Sequence, residues 1–198
     1  IHASSPNAID SKDINISKRY LEETKTLIDM ASISKNVKKF IFLSSIRVVS
    51  DNYQGLITEN MAVNPSSHYG KLKNEIETYL RVKKSANNMS KIILRITNGY
   101  GYPIHNLSDC WNLVVMNICK QAIENGEIKL KSSGQAYKDF IPISTIAKVV
   151  NAIAIDENLD STEIFNVSSG KSLKIIDFIM EVNEKLEFKL SKKIKISL

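Results

Sequence analysis

Cysteine is scarce in this chain, two in 198 residues, which excludes a fold stapled by disulfides and makes a reducing cytoplasm the expected setting. Cys110 and Cys119 stand nine apart on a stretch read as one helix, a rise of ~13 Å that no disulfide spans. Histidine is also sparse. His2, His68 and His105 are scattered, and no His, Cys and carboxylate cluster has metal-ligand spacing, so no metal is expected. No apolar run reaches the ~20 residues of a membrane span, so membrane insertion is not expected either. Glycine numbers only seven, and no Gly-rich loop of the kind that cradles phosphates is present. Gly99 and Gly101 in NGYGYP come nearest, but a third glycine is missing and Pro103 stands where a helix should begin. Internal repeats and low-complexity segments are absent as well.

What remains is the composition of a soluble globular protein, 43% hydrophobic and 24% charged. The length suffices for one domain with a sizeable core, or one and a half small ones. A net charge of +6 favours anionic ligands. Much of the excess sits in the tail KLSKKIKISL, which lacks the interleaved aromatics of a nucleic-acid groove, so nucleic acid is not an expected partner.

Apolar spacing predicts a helix from about Ile14 to Ile33 with Leu21, Leu27, Ile28 and Ala31 facing inward. KFIFLSS and KIILRI are continuous apolar runs, as expected of strands buried on both faces of a parallel sheet. Between them lie a loop over residues 46–68, with Asp51, Asn52, Gly55, Asn64 and Pro65, and a helix from Tyr69 to about Ala86. NGYGYP breaks the pattern. Helices are expected from Trp111 to Glu124, over IPISTIAKVVNAIA with Ser144 as cap, and over SLKIIDFIMEVNEKL with Ser172 as cap. EIKL, IFNVSSG and KIKIS read as strands. Strands and helices alternate across long crossovers, so the fold class is α/β with a mainly parallel sheet. A modest boundary falls near residues 101–107. IHASS at the start reads as the end of a strand already under way, which predicts that the chain is part of a longer fold.

Tyr69 and Lys73 in SHYGKLKNE carry the chemistry. Four residues apart at a helix start, they share one helical face. Ser45 ends the preceding strand. A phenol titrates near ~10, and a neighbouring ammonium would lower that value, making a usable base. Ser45, with Ser44 as the alternative, would hold a substrate hydroxyl or carbonyl against it. Tyr79 and Lys83 repeat the spacing, but lie mid-helix without a strand-end serine nearby.

With these residues goes an ordered series of segments: IHASS, Asn15 ahead of a long helix, VKKFIFLSSIRVVSD, ITENMAVNPSSHYGKLKNEIE, LRITNGYG, SSGQAYKDFIPIS and IFNVSSG. From Ile1 to about Leu186 the chain resembles the extended short-chain dehydrogenase/reductases, in particular the NAD-dependent epimerase/dehydratase family acting on nucleotide sugars. The resemblance implies a partial Rossmann domain over residues 1–100, lacking its N-terminal strands and its Gly-rich turn. It implies a mainly substrate-binding portion over residues 101–198, with segments returning to the Rossmann sheet. It also implies catalytic Ser45, Tyr69 and Lys73, and cofactor contacts from Ala3, Ser4, Lys73 and Thr97. Substrate contacts would come from Asn98 and Lys138. The cofactor would be NAD rather than NADP, the substrate a nucleotide-diphosphate sugar, and the complete protein a homodimer engaged in surface-polysaccharide synthesis.

The departures narrow the reaction. Lys138 stands where the family carries Arg, and loses the bidentate fork for phosphate. Ile46-Arg47 follow Ser45 where sugar-4,6-dehydratases carry Asp-Glu, so the acid and base for water elimination are missing. A nucleotide-sugar 4-epimerase is the leading expectation, and a ketoreductase or a non-catalytic truncated relative the alternatives. The missing Gly-rich turn predicts that these residues by themselves bind NAD poorly.

Overall fold

A computed structural model describes residues 1–51, 55–105, 110–130 and 132–197. Asn52, Asn106 and Leu107, placed in loops by the sequence reading, lie outside the described residues. The chain divides into two compact units, Ile1–Thr97 with Ile146–Val167, and Asn98–Thr145 with Ser168–Leu198.

In the first unit three strands, β1 (Lys39–Ser45), β2 (Ser90–Ile96) and β6 (Thr162–Val167), form a parallel sheet in the order β1-β2-β6. Leu43 aligns with Leu94, and Leu94 with Phe165. Phe42, Ile92, Ile93 and Leu94 are buried, the signature of a sheet covered on both faces. His2 forms a parallel bridge with Phe42. Its N–H donates to the Ile41 carbonyl and its own carbonyl accepts from Leu43, so the IHASS segment meets β1 at this single bridge.

Two helices, α1 (Ile14–Ile33) and α2 (His68–Val82), pack against this sheet. Asp13 caps α1 by accepting from the N–H groups of Asn15 and Ile16. Its buried face is Tyr20, Thr24, Ile28 and Ala31, at the 4-4-3 spacing of one helical stripe. Leu27, expected inward, is 42% exposed, at the edge of that stripe. The helix α2 ends at Val82 rather than Ala86, with Lys83 in an extended conformation. Lys39 of β1 donates to the carbonyls of Ile153 and Asp156, at the C-terminal end of α4 (Ile143–Ile155), where a cation complements the helix dipole.

The second unit holds β3 (Asn98–Tyr100), β5 (Tyr137–Pro142) and β7 (Ser172–Lys174) in one small sheet, and β4 (Glu127–Lys129) with β8 (Lys195–Ser197) in another. The first pairing of each sheet is parallel, and β5 with β7 is antiparallel. Helices α3 (Val114–Asn125) and α5 (Ile175–Leu190) share a core through Ile118, Ala122, Ile128 and Ile179. Gly126 closes α3 with φ +65°, a left-handed position that glycine takes at no steric cost.

Several local expectations change here. Asn98–Tyr100 is a strand, because Asn98 pairs with Phe140 across the sequence. Ile141 and Pro142 end β5, and Ser144 lies inside α4 rather than capping it. Ser172 pairs in β7 with Asp139, and Lys174 is the α5 cap residue without a side-chain bond. Cys110 precedes α3, so the two cysteines are not on one helix, and both are free. Among the described residues no helix is long and apolar enough to cross a membrane.

Candidate active site

The site is built where β1 ends and α2 begins. Past Ser45 the chain turns into a short 3-10 helix, Ile46–Val48, and Ser45 caps it by accepting from the Arg47 N–H at 3.3 Å. At the far end of the loop, Ser67 caps α2 by accepting from the Gly70 N–H at 3.1 Å. Asp51 ties the two ends together. Its carboxylate accepts from the backbone N–H groups and the hydroxyls of both Ser66 and Ser67. Burial pushes the Asp51 carboxyl upward, but the Ser66 and Ser67 bonds outweigh it, and the group sits below the usual carboxylate range. Gly70 makes the close approach possible. A Cβ there would lie 2.6 Å from the Arg47 carbonyl and 2.9 Å from Pro65 Cβ, so only glycine lets α2 seat this tightly.

Tyr69 and Lys73 therefore rise from a helix start held against the strand end. Lys73 is 1% exposed. Its Nζ donates to the Leu43 carbonyl at 2.9 Å. Three rings surround it, with centroids at 4.8 Å for Phe42 and 5.7 Å for both Tyr20 and Tyr69. Burial lowers its pKa to about 8, with Glu77 opposing the fall. Tyr69 is half-buried, and burial raises its phenol above the ordinary value, opposed by the polarity of the Ser5 hydroxyl and by the charge of Arg47. This corrects the expectation that Lys73 lowers it. The ammonium faces the Tyr69 ring rather than the hydroxyl, and desolvation dominates.

Beneath the pair lies a buried ion pair. Arg95 donates to both Glu77 carboxylate oxygens, at 3.2 Å from Nε and 2.8 Å from its terminal nitrogen, and both side chains are 2% exposed. Ser44 donates to the same carboxylate, so its hydroxyl is committed to this network, while Ser45 is the serine at the strand tip. Glu59, ahead of the site, accepts from the Asn166 N–H through its side chain and from Arg95 through its carbonyl.

The other proposed contacts fall as follows. Ala3 and Ser4 are exposed beside β1, and the Ser4 carbonyl accepts from Tyr20 at 2.6 Å. The Thr97 N–H donates to the Val167 carbonyl just past β2. Asn98 and Lys138 belong to the second unit. There Asn98 donates to the Asp139 carbonyl at 2.8 Å, and Lys138 sits on β5 opposite Leu173. Asn15 is exposed in the first turn of α1, and the residue of α1 that reaches the pair is Tyr20. The second Tyr-Lys pair lies elsewhere, with Tyr79 and Lys83 both bound to Asp29 of α1 at 2.6 Å. A cavity of about 640 Å³ lined by Thr78, Arg81, Thr162 and Glu163 lies at the opposite end of α2 from Tyr69 and contains none of the proposed residues.

Sequence reasoning missed Tyr20, Arg47 and the Glu77–Arg95 pair. Glu77 was within reach of spacing, since it follows Lys73 by four residues on the same face. Tyr20 offered no signal, because its partners Ser4 and Lys73 lie on other segments.

A strand-end serine, a half-buried phenol and a buried ammonium lie where β1 ends and α2 begins, in an α/β fold with parallel strands. Residues 3–168 match the model of the NAD dependent epimerase/dehydratase family. The chain belongs to that family, an NAD-dependent group. It is 31% identical over 156 residues to dTDP-4-dehydro-6-deoxyglucose reductase from Escherichia coli, across 79% of this chain and 47% of that protein. It is 30% identical over 113 residues to dTDP-L-rhamnose 4-epimerase from Burkholderia thailandensis, across 57% of this chain and 31% of that protein. Among solved structures, the UDP-glucose 4-epimerase of Thermotoga maritima with UDP-glucose superposes with a TM-score of 0.80 at 21% identity, over 100% of this chain and 62% of that one. The chain spans about half the length of the curated relatives it matches.

Proposed function

We propose that the chain supplies the proton-transfer part of an NAD-dependent nucleotide-sugar 4-epimerase. The observation that carries this reading is the pairing of Tyr69, half-buried at the start of α2, with the buried Lys73 ammonium at the tip of β1. The described residues suit the nicotinamide end of the cofactor. Lys73 brings a positive charge, Ala3, Ser4 and Thr97 are small residues at strand ends, and NAD rather than NADP is proposed. When bound, NAD supplies the hydride acceptor and donor for the sugar carbon. Tyr69 takes the proton of the C4 hydroxyl and later returns it. Ser45 holds the C4 oxygen, and Lys73 holds the ribose hydroxyls. Asn98 and Lys138 meet the substrate diphosphate. The nucleotide-binding role of residues 1–100, the substrate-binding role of residues 101–198, a cytoplasmic homodimer and a place in surface-polysaccharide synthesis belong to the same proposal.

A second reading, ketoreductase, is favoured by the 31% identity to the Escherichia coli reductase. Dehydration is disfavoured, since Ile46 and Arg47 provide no carboxylate after Ser45. The test is to incubate the protein as encoded with UDP-glucose, UDP-galactose and their N-acetylated forms, with a dTDP-4-keto-6-deoxy sugar and NADH as a separate arm. Products are read by mass and by NMR. Unchanged mass with inverted C4 supports the epimerase. A two-hydrogen gain with NADH consumed supports the reductase. Loss of water overturns both.

A further inference from the structure

We propose that Tyr20 is a positioning residue for the candidate site, steadying the Lys73 ammonium with its ring and the Ser4 segment with its hydroxyl. This rests on the proton-transfer reading given above. Tyr20 is 7% exposed on α1, a helix that carries no residue of the proposed catalytic set. Its ring orientation is fixed by stacking on His2 at 5.9 Å and 17°, and His2 stacks in turn on Phe42 at 5.8 Å. The His2 ring is itself held by Thr24 at 3.1 Å. Tyr20 thus presents a rigid face 5.7 Å from the Lys73 ammonium, one of the three faces around it.

Its hydroxyl does a second job. The single O–H proton goes to the Ser4 carbonyl at 2.6 Å, pinning the segment that follows the His2 bridge. The Ser4 carbonyl is thereby tied to the same side chain whose ring faces Lys73. A tyrosine acting as core filler alone would need only its ring, and the hydroxyl's bond to Ser4 is what departs from that role. The groups facing the Lys73 ammonium are Glu77 and Tyr69 on its own helix, Tyr20 on α1 and His2 on the first segment, while Arg47 faces Tyr69.

Two substitutions separate the ring from the hydroxyl. In the protein as encoded, Tyr20→Leu removes the face and should move the ionisation of Lys73 about one pH unit lower, since a desolvated cation–π contact favours the charged form. Tyr20→Phe keeps the face and should leave that ionisation in place. It should instead lower kcat by about 3–10-fold through loss of the Ser4 anchor, at nearly constant KM. Lys73 ionisation is read without substrate, by competitive acetic anhydride labelling and mass spectrometry across its titration, with circular dichroism confirming that each variant is folded. The kcat arm uses whichever nucleotide sugar turns over. Wild-type Lys73 ionisation in a folded Tyr20→Leu protein overturns the ring role, and wild-type kcat in Tyr20→Phe overturns the hydroxyl role. If Tyr20→Leu fails to fold, Tyr20→Ile is labelled in its place. If no sugar turns over, the functional reading fails while the labelling result still decides the ring role.

Discussion

Replacing Glu77 by Leu should be among the most damaging single changes in the first unit. The substitution leaves the Arg95 guanidinium 2% exposed with the Glu59 carbonyl at 3.3 Å as its remaining partner of those it now holds. Removing one member of a buried pair typically costs about 3–5 kcal/mol, because an uncompensated charge remains. Ser44 loses its acceptor as well, adding about 1 kcal/mol. The expected loss is therefore roughly 4–6 kcal/mol, a large part of the ~5–15 kcal/mol that holds a typical domain together. No discount for solvent applies, since both partners are buried. The double variant Glu77→Leu/Arg95→Met removes the orphaned charge, and should recover at least ~2 kcal/mol of the loss. Urea unfolding of the protein as encoded, followed by far-ultraviolet circular dichroism with the slope held common, gives the three differences. A Glu77→Leu protein within about 1 kcal/mol of the parent would refute the reasoning, as would a double variant no more stable than the single, by the same coupling logic.

Tyr69→Phe should lower kcat by the ~10²–10⁴-fold typical of a lost general acid–base. Tyr79→Phe, whose hydroxyl meets Asp29 on the helix surface, should change it little, and equal losses in steady-state assays would remove the distinction. Lys73→Met should abolish turnover yet raise stability at neutral pH. The folded pKa of Lys73 is lowered from 10.5 to about 8, so burying the ammonium costs up to roughly 3 kcal/mol below pH 8. Between the folded and unfolded values the unfolded chain binds more protons, so the Lys73 contribution to stability improves as pH rises through that window. Melting temperatures of the two proteins should converge from about pH 8 upward, and a constant gap across that range would contradict the burial argument.

The strands of the first unit were legible because both faces of β1 and β2 are covered, which writes an unbroken apolar run into the sequence. The helix α1 was legible to its ends, Ile14 and Ile33, because Asp13 caps one end and the apolar stripe runs its length. By contrast β3, β5 and β7 are three, six and three residues long, and exist through pairings such as Asn98 with Phe140. No local pattern announces such pairings. At the site, the shared face of Tyr69 and Lys73 followed from helical periodicity. The direction of the Tyr69 ionisation did not, since it depends on burial produced by remote segments. Tyr20 escaped for the same reason, being a residue of α1 whose partners Ser4 and Lys73 lie on other segments.

The Asp51 carboxylate closes a ring. It binds Ser66 and Ser67, fifteen and sixteen residues further on, so the base of the loop is shut by side-chain bonds. Within the loop Glu59 is tied to Arg95 and Asn166, and Pro65 lies against Gly70, so these positions are held with the site. Added length elsewhere costs only a slowly growing closure entropy. The clamp thus separates two evolutionary tasks, keeping Tyr69 in place and varying what surrounds it, and a library over residues 60–63 would vary the second without disturbing the first.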